Sequence, residues 1–113
     1  MGEYDAINLE TVLERVRIQA TREEIRITQH AQQEMTEDNV TLEEVLYAIT
    51  TAQIIENYPE HKRGPCCLLN GITKKNRPLH IVCTTALPTL IIITVYEPKP
   101  PKWVSPTQRR QGK

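Results

Sequence analysis

The sequence predicts an α+β fold, with N-terminal helices packed on one face of a four- to five-stranded antiparallel sheet. Three observations predict it. Up to about residue 52, apart from one short strand, apolar residues recur at the 3.6-residue spacing of amphipathic helices. Beyond that point they form short runs rich in Ile, Val, Leu, Cys and Thr, each bounded by Pro, Gly, Asn or Lys. The connections between those runs are short, which suits antiparallel neighbours rather than crossover helices. A chain of 113 residues can bury a single core, and no internal repeat divides it.

Each element has its own signal. Leu9, Val12, Leu13, Val16 and Ala20 form the stripe of a first helix. Asp5 or Asn8 can offer a short side-chain oxygen to the free N–H groups at its start, and Thr21 and Arg22 begin its exit. Glu24 to Thr28 reads as a short strand with Ile25 and Ile27 on one face. A brief second helix spans about Gln29 to Glu37, with Ala31 and Met35 four apart, and ends at the turn formers Asp38 and Asn39. In the third, Thr41 to Glu44 is a capping box and Val40 with Val45 is the hydrophobic staple. Leu42, Val45, Leu46 and Ile49 make its expected buried stripe, running to about Thr51. Strands follow at Gln53 to Tyr58, Cys66 to Ile72, Arg77 to Thr85 and Thr89 to Glu97, for the order α-β-α-α-β-β-β-β.

Residues 1–97 form the expected single domain, and 98–113 a proline-rich basic tail. Pro98, Pro100, Pro101 and Pro106 forbid regular helix or central strand there. Trp103 is the expected anchor, with Arg109 and Arg110 beyond it and the last few residues disordered.

Net charge is zero but sharply divided. Residues 1–60 carry 13 Asp/Glu against 4 Lys/Arg, whereas residues 61–113 carry 10 Lys/Arg against Glu97 alone. The second half has the composition of a surface that meets phosphates, unless the acidic helices fold over the basic strands and neutralise them. Glu3, Asp5, Glu10 and Glu14 interrupt any signal-peptide pattern, and the longest apolar stretch, around Leu90 to Val95, is too short to span a bilayer. Three cysteines, two of them adjacent, make no disulfide framework. A cytoplasmic protein without membrane contact is the expectation.

For metal binding the candidates are His61, Cys66, Cys67, His80 and Cys83. Strand alternation argues against a site, because it turns His80 from Cys83 and Cys66 from Cys67, and no Cys-x-x-Cys or His-x-x-x-His pair is present. The cysteines are read as small buried hydrophobes with neither metal nor disulfide, and no cofactor is expected. No Walker loop, dinucleotide fingerprint or Gly-x-Ser-x-Gly appears, and Glu23, Glu24, Glu34, Glu37, Glu43 and Glu44 read as solvated helix faces.

What remains is a polar set on the sheet: His80, Thr84, Thr94 and Tyr96. Alternation groups Leu90, Ile92, Thr94 and Tyr96 on one side, and leaves the fully apolar Ile91, Ile93 and Val95 to face the helices. The mixed side then lies near Lys74, Lys75 and Arg77. His30 falls at the strand-to-helix corner, where a helix start disfavours imidazolium. A neutral ring there can accept a proton, cap the helix or fill space. The favoured reading is structural, with the ring bonding backbone and packing on Ile27.

Several separated segments resemble one family. They are Ile27-Thr28-x-His30-Ala31-x-x-x-Met35, Leu79-His80-Ile81-Val82, and Ile93-Thr94-Val95-Tyr96-Glu97-Pro98 followed by Lys102-Trp103 and Arg109-Arg110. Across about residues 20 to 110 the chain is similar to a bacterial domain-of-unknown-function family grouped with the RelE/ParE-like toxin superfamily, whose ribonucleases share a barnase–RelE style of fold. The resemblance implies a sheet face that meets RNA, often on the ribosome, and a small antitoxin protein that blocks it. Some members of that superfamily poison a topoisomerase instead, and others have lost catalysis.

A ribonuclease of this kind would need no metal. A base takes the ribose 2′-hydroxyl proton, the oxygen attacks the adjacent phosphate, cations hold the developing charge, and an acid protonates the leaving oxygen. The catalytic candidates are His80, Tyr96, Thr94, His30 and Arg109, with His80 preferred to His30. Lys74, Lys75, Arg77 and Arg110 are the candidates for RNA binding. The competing reading is a non-catalytic module of the same fold, in which the sheet binds a protein partner or pairs with itself as a homo-oligomer.

Overall fold

A computed structural model describes residues 9–110. The helix cap expected at Asp5 or Asn8 and the disorder expected at the chain's end lie outside the described residues.

Three helices, α1 (Leu9–Thr21), α2 (Gln29–Glu37) and α3 (Leu42–Thr50), pack on one face of a five-stranded sheet. Its strands are β1 (Ile25–Ile27), β2 (Gln53–Tyr58), β3 (Cys66–Ile72), β4 (Pro78–Thr84) and β5 (Leu90–Tyr96), in the order β1-β5-β4-β3-β2. The α+β architecture and the element order agree with the sequence reading. Two short strands, β6 (Trp103–Ser105) and β7 (Gln108–Arg109), form a separate hairpin within the tail.

Strands β2 to β5 make an antiparallel meander, but β1 joins β5 in parallel. Short connections predict antiparallel pairing only between consecutive strands, and two helices separate β1 from the rest. The capping box at Thr41 is formed in both directions. Val16 and Ala20 from α1, Ala31 and Met35 from α2, and Val45, Ala48 and Ile49 from α3 meet Cys67, Leu69, Leu79, Ile81, Cys83, Leu90, Ile92 and Val95 in one core. Leu9 and Leu42 extend their helical stripes but remain exposed.

Several cations are spent on this scaffold. Arg17 donates to the Ile49 and Ala52 carbonyls at the end of α3, and Arg15 with Gln19 holds the loop between β4 and β5 through Thr85, Leu87 and Pro88 carbonyls.

Because β1 is short, the second half of β5 has an open edge, and α2 closes it with side chains. Thr28 Oγ1 donates to the Ile93 carbonyl at 2.9 Å, Glu34 Oε1 accepts from Val95 N at 2.8 Å, and Asp38 Oδ2 accepts from Glu97 N at 3.2 Å. The spacing 93, 95, 97 is that of one strand edge, so the helix substitutes for a missing strand. Among the described residues, no helix is long and apolar enough to cross a membrane.

Candidate functional site

Two β-bulges build the polar face. On β5 the pairing runs Cys83↔Ile92 and then Val82↔Thr94, which leaves Ile93 extra. On β2 it runs Ile54↔Leu69 and then Glu56↔Leu68, which leaves Ile55 extra. Each extra residue reverses the alternation beyond it. Ile54 and Ile92 therefore pack with the helix-side core, whereas Glu56, Tyr58, Thr94 and Tyr96 turn to the opposite face. The expected grouping of Leu90 and Ile92 with Thr94 and Tyr96 is thus corrected, and so is the assignment of Ile91 and Ile93 to the helices.

His80 sits at the centre of this face and is wholly buried. It pairs across the ladder with Tyr96, and Trp103 from the tail packs edge-on against it at 4.3 Å between ring centroids. Nε2 lies 2.5 Å from the Pro106 carbonyl, which can only accept, so Nε2 carries the proton. Nδ1 then accepts from the Tyr96 hydroxyl at 3.1 Å. Burial lowers the imidazole pKa below its ordinary value, with the Pro106 carbonyl opposing, which agrees with a neutral ring. Burial also raises the Tyr96 phenol.

At the rim, Glu56 receives the planar fork of Arg109 through Nε at 2.6 Å and Nη2 at 2.9 Å. The Tyr58 hydroxyl donates to the same carboxylate. The Arg109 contact holds Glu56 below the usual carboxylate range. Burial and the Glu56 carboxylate push Tyr58 up to about 12, so it keeps its proton at neutral pH. The Arg109 guanidinium also lies 4.7 Å over the Trp103 ring. A carboxylate, a protonated phenol and a guanidinium thus meet beside the His80–Tyr96 pair. Thr94 is half-buried on this face, two residues before Tyr96.

The other candidates lie elsewhere. His30 is exposed, with 65% of its side-chain surface open, and its Nε2 lies 3.3 Å from Glu34 Oε2. It does not lock the corner as expected; Thr28 does, by accepting from Ala31 N and donating to Ile93. Arg77 is committed to scaffold, bonding Glu97 and the Asp38 and Asn39 carbonyls. Lys74 and Lys75 line an open cleft of about 550 Å³ with Glu43, Glu44 and Tyr47 of α3, away from His80. Arg110 is exposed near the hairpin.

All three cysteines are buried thiols. The expected divergence separates Cys66 from Cys67, but Cys67 and Cys83 are register partners on the helix side. A hydrogen bond with Cys67 and burial hold Cys83 well above the ordinary thiol range. Among the described residues, no three His, Cys, Asp or Glu side chains converge as a metal-binding group.

Glu56 and Tyr58 escaped the sequence reading. The available signal was the run Ile54-Ile55-Glu56 within the strand, where ordinary alternation cannot accommodate both isoleucines and the acid on suitable faces.

A family model described as a domain of unknown function (DUF4258) matches residues 27–97. No curated protein and no solved structure matches the chain. The matched span runs from the last residue of β1 through the end of β5 and therefore includes Glu56, Tyr58, His80 and Tyr96, while Trp103 and Arg109 follow it.

Proposed function

The chain belongs to the DUF4258 family, and we propose that it is a RelE-like endoribonuclease, the toxin of a toxin–antitoxin pair, cleaving RNA without a metal. One observation carries the reading: Glu56, Tyr58 and Arg109 are hydrogen-bonded together at the rim of the His80–Tyr96 face. These are the groups that 2′-hydroxyl attack requires. The Arg109 fork exchanges the Glu56 carboxylate for the scissile phosphate, to which its geometry is equally suited. Glu56, ionised and released, takes the 2′-hydroxyl proton. Tyr58 gives its proton to the departing 5′-oxygen, while the donors around the phosphate hold the developing charge. His80 holds Tyr96 in place, and Lys74 and Lys75, at the β3–β4 turn, are available to phosphates further along the strand. The partners are RNA, free or on the ribosome, and a small antitoxin covering this face.

The test is incubation of purified protein with single-stranded RNA, and with translating ribosomes, in excess EDTA. Cleavage leaving 2′,3′-cyclic phosphate ends, lost in Glu56→Gln, is expected, together with growth arrest on induction in a bacterial host. Intact RNA and normal growth would favour a non-catalytic interaction module. The specific observation behind that second reading is that both His80 nitrogens are already bonded within the protein.

A further inference from the structure

The contact between the tail hairpin and the sheet contains a mismatch. Trp103 is 2% exposed, yet its buried indole N–H makes no well-formed hydrogen bond, only an approach to the Tyr96 hydroxyl that falls short of good geometry. The Oδ1 atom of Asn70, which is His80's register partner on β3, is buried and unpartnered. One unpartnered and one poorly satisfied polar atom around the same histidine carry a desolvation cost that a well-fitted aromatic plug would avoid. The hairpin itself is slight: β6 has three residues, β7 has two, and Val104 in the middle of β6 is 59% exposed. It is held to the face by the Pro106–His80 bond, the Arg109–Glu56 fork and Trp103 itself. Each of these occupies a group that an RNA ligand could use: an imidazole N–H donor, a phosphate-binding fork, and a ring-sized seat beside Tyr96.

We propose that Trp103 fills the seat of an RNA base, so that the Trp103–Pro106 part of the tail hairpin is an autoinhibitory strap displaced when RNA binds. This rests on the reading of the face as an RNA site. A nucleobase has the flat face that the seat accommodates, and it also carries edge donors and acceptors that can reach Asn70 and His80, which an indole offers only once. Withdrawal of Trp103 turns the seat over to the base, while Arg109, at the other end of the same hairpin, stays over the face by passing its fork from Glu56 to the phosphate, so vacating the seat and arming the carboxylate are one event.

Trp103 is the sole tryptophan of the chain, so its fluorescence reports the strap directly. The full chain is titrated with a 2′-O-methyl single-stranded oligonucleotide of mixed sequence, which cannot be cleaved by 2′-hydroxyl attack. Binding is read separately by anisotropy of a labelled copy. The expected result is a red-shifted Trp103 emission and increased acrylamide quenching in step with binding. The variant Trp103→Leu, which keeps an apolar side chain on the sheet, should bind tighter by about tenfold or more, the factor by which a seat free one-tenth of the time or less weakens apparent affinity. Binding by the variant alone would also support the strap. Binding with unchanged Trp103 emission, or weaker binding by the variant, overturns the strap and leaves the RNA reading standing. Absence of binding by both proteins overturns both.

Discussion

Gly71→Ala should be among the most damaging small substitutions in this chain. Gly71 lies on β3 opposite Leu79, beneath the end of α3. A Cβ at that position would stand 2.0 Å from the Ala48 carbonyl oxygen, 2.7 Å from its carbon and 3.1 Å from the Ala48 Cβ. The obstacle is backbone, and it is fixed: the same oxygen accepts from Thr51 N at 3.1 Å and Thr51 Oγ1 at 3.0 Å. Thr51 Oγ1 in turn accepts from Ile72 N at 2.9 Å, stitching helix to strand. Relief requires the end of α3 to retreat, which loosens Val45, Ala48 and Ile49 against the sheet. Overpacking of this kind costs about 3 kcal/mol, and the reduced freedom of the unfolded chain returns about 0.5–1 kcal/mol. At the entropy of unfolding usual for a chain this long, a net loss of about 2–2.5 kcal/mol lowers Tm by roughly 10 °C. Calorimetry of both proteins measures it. The contrasting control is Gly64→Ala, where no atom lies within 4 Å but φ is +96°, so that the cost, about 1 kcal/mol or more, comes from backbone conformation alone. A Gly71→Ala protein melting within a degree or two of wild type would refute the close helix–strand approach.

Thr28→Ala should cost about 2 kcal/mol in urea titration, combining a lost N-cap with a lost bond to the β5 edge, against about 1 kcal/mol for the cap alone in Thr41→Ala; equal losses would deny α2 its edge-closing role. Because the folded pKa of His80 is depressed, its contribution is complete above the unfolded value near 6.5 and is lost as pH falls through the folded pKa. Tm should therefore begin to fall below pH 6.5, and His80→Gln should flatten that limb; Glu56, also depressed, adds a further loss below 4.5. At the alkaline end Tyr58 is raised, so its contribution is complete below pH 10 and is lost as pH rises through about 12, a limb that Tyr58→Phe should remove. If Lys74 and Lys75 meet RNA phosphates, Lys74→Glu with Lys75→Glu should weaken binding and reduce the logarithmic salt slope by about 0.7 for each lost contact, whereas Arg77→Ala should chiefly lower Tm; an unchanged salt slope would remove the lysines from the interface.

The helices and strand positions were legible because their signals are local. The Thr41–Glu44 box and the Val40–Val45 staple are complete within a few residues, and each strand is bounded by its own turn formers. The faces were less legible. A bulge has no composition of its own: Ile93 and Ile55 look like ordinary strand residues, and only the pairing across β4 and β3 makes them extra. That one-residue reversal decides whether Tyr96 and Glu56 face the helices or the tail. The parallel entry of β1 and the closing of the β5 edge by Thr28, Glu34 and Asp38 are likewise long-range facts. Trp103 was recognisable as an anchor, but not its seat on His80. Basic residues were visible as a cluster along the chain, yet Arg77 proved to be committed to the carbonyls beyond α2, a use that composition does not distinguish from phosphate binding.

The activity proposed for Glu56 and Tyr58 of the sheet, with Arg109 of the tail hairpin, is RNA cleavage through the 2′-hydroxyl. The most direct measurement presents purified protein, in excess EDTA, with an RNA oligonucleotide and with the same oligonucleotide carrying a single 2′-deoxyribose at the position cleaved. Cleavage of the first to a 2′,3′-cyclic phosphate, no cleavage at the substituted position in the second, and loss of activity in a folded Glu56→Gln protein are expected. Equal cleavage of both oligonucleotides, full activity in Glu56→Gln, or no cleavage of either RNA or ribosome-bound message would contradict it.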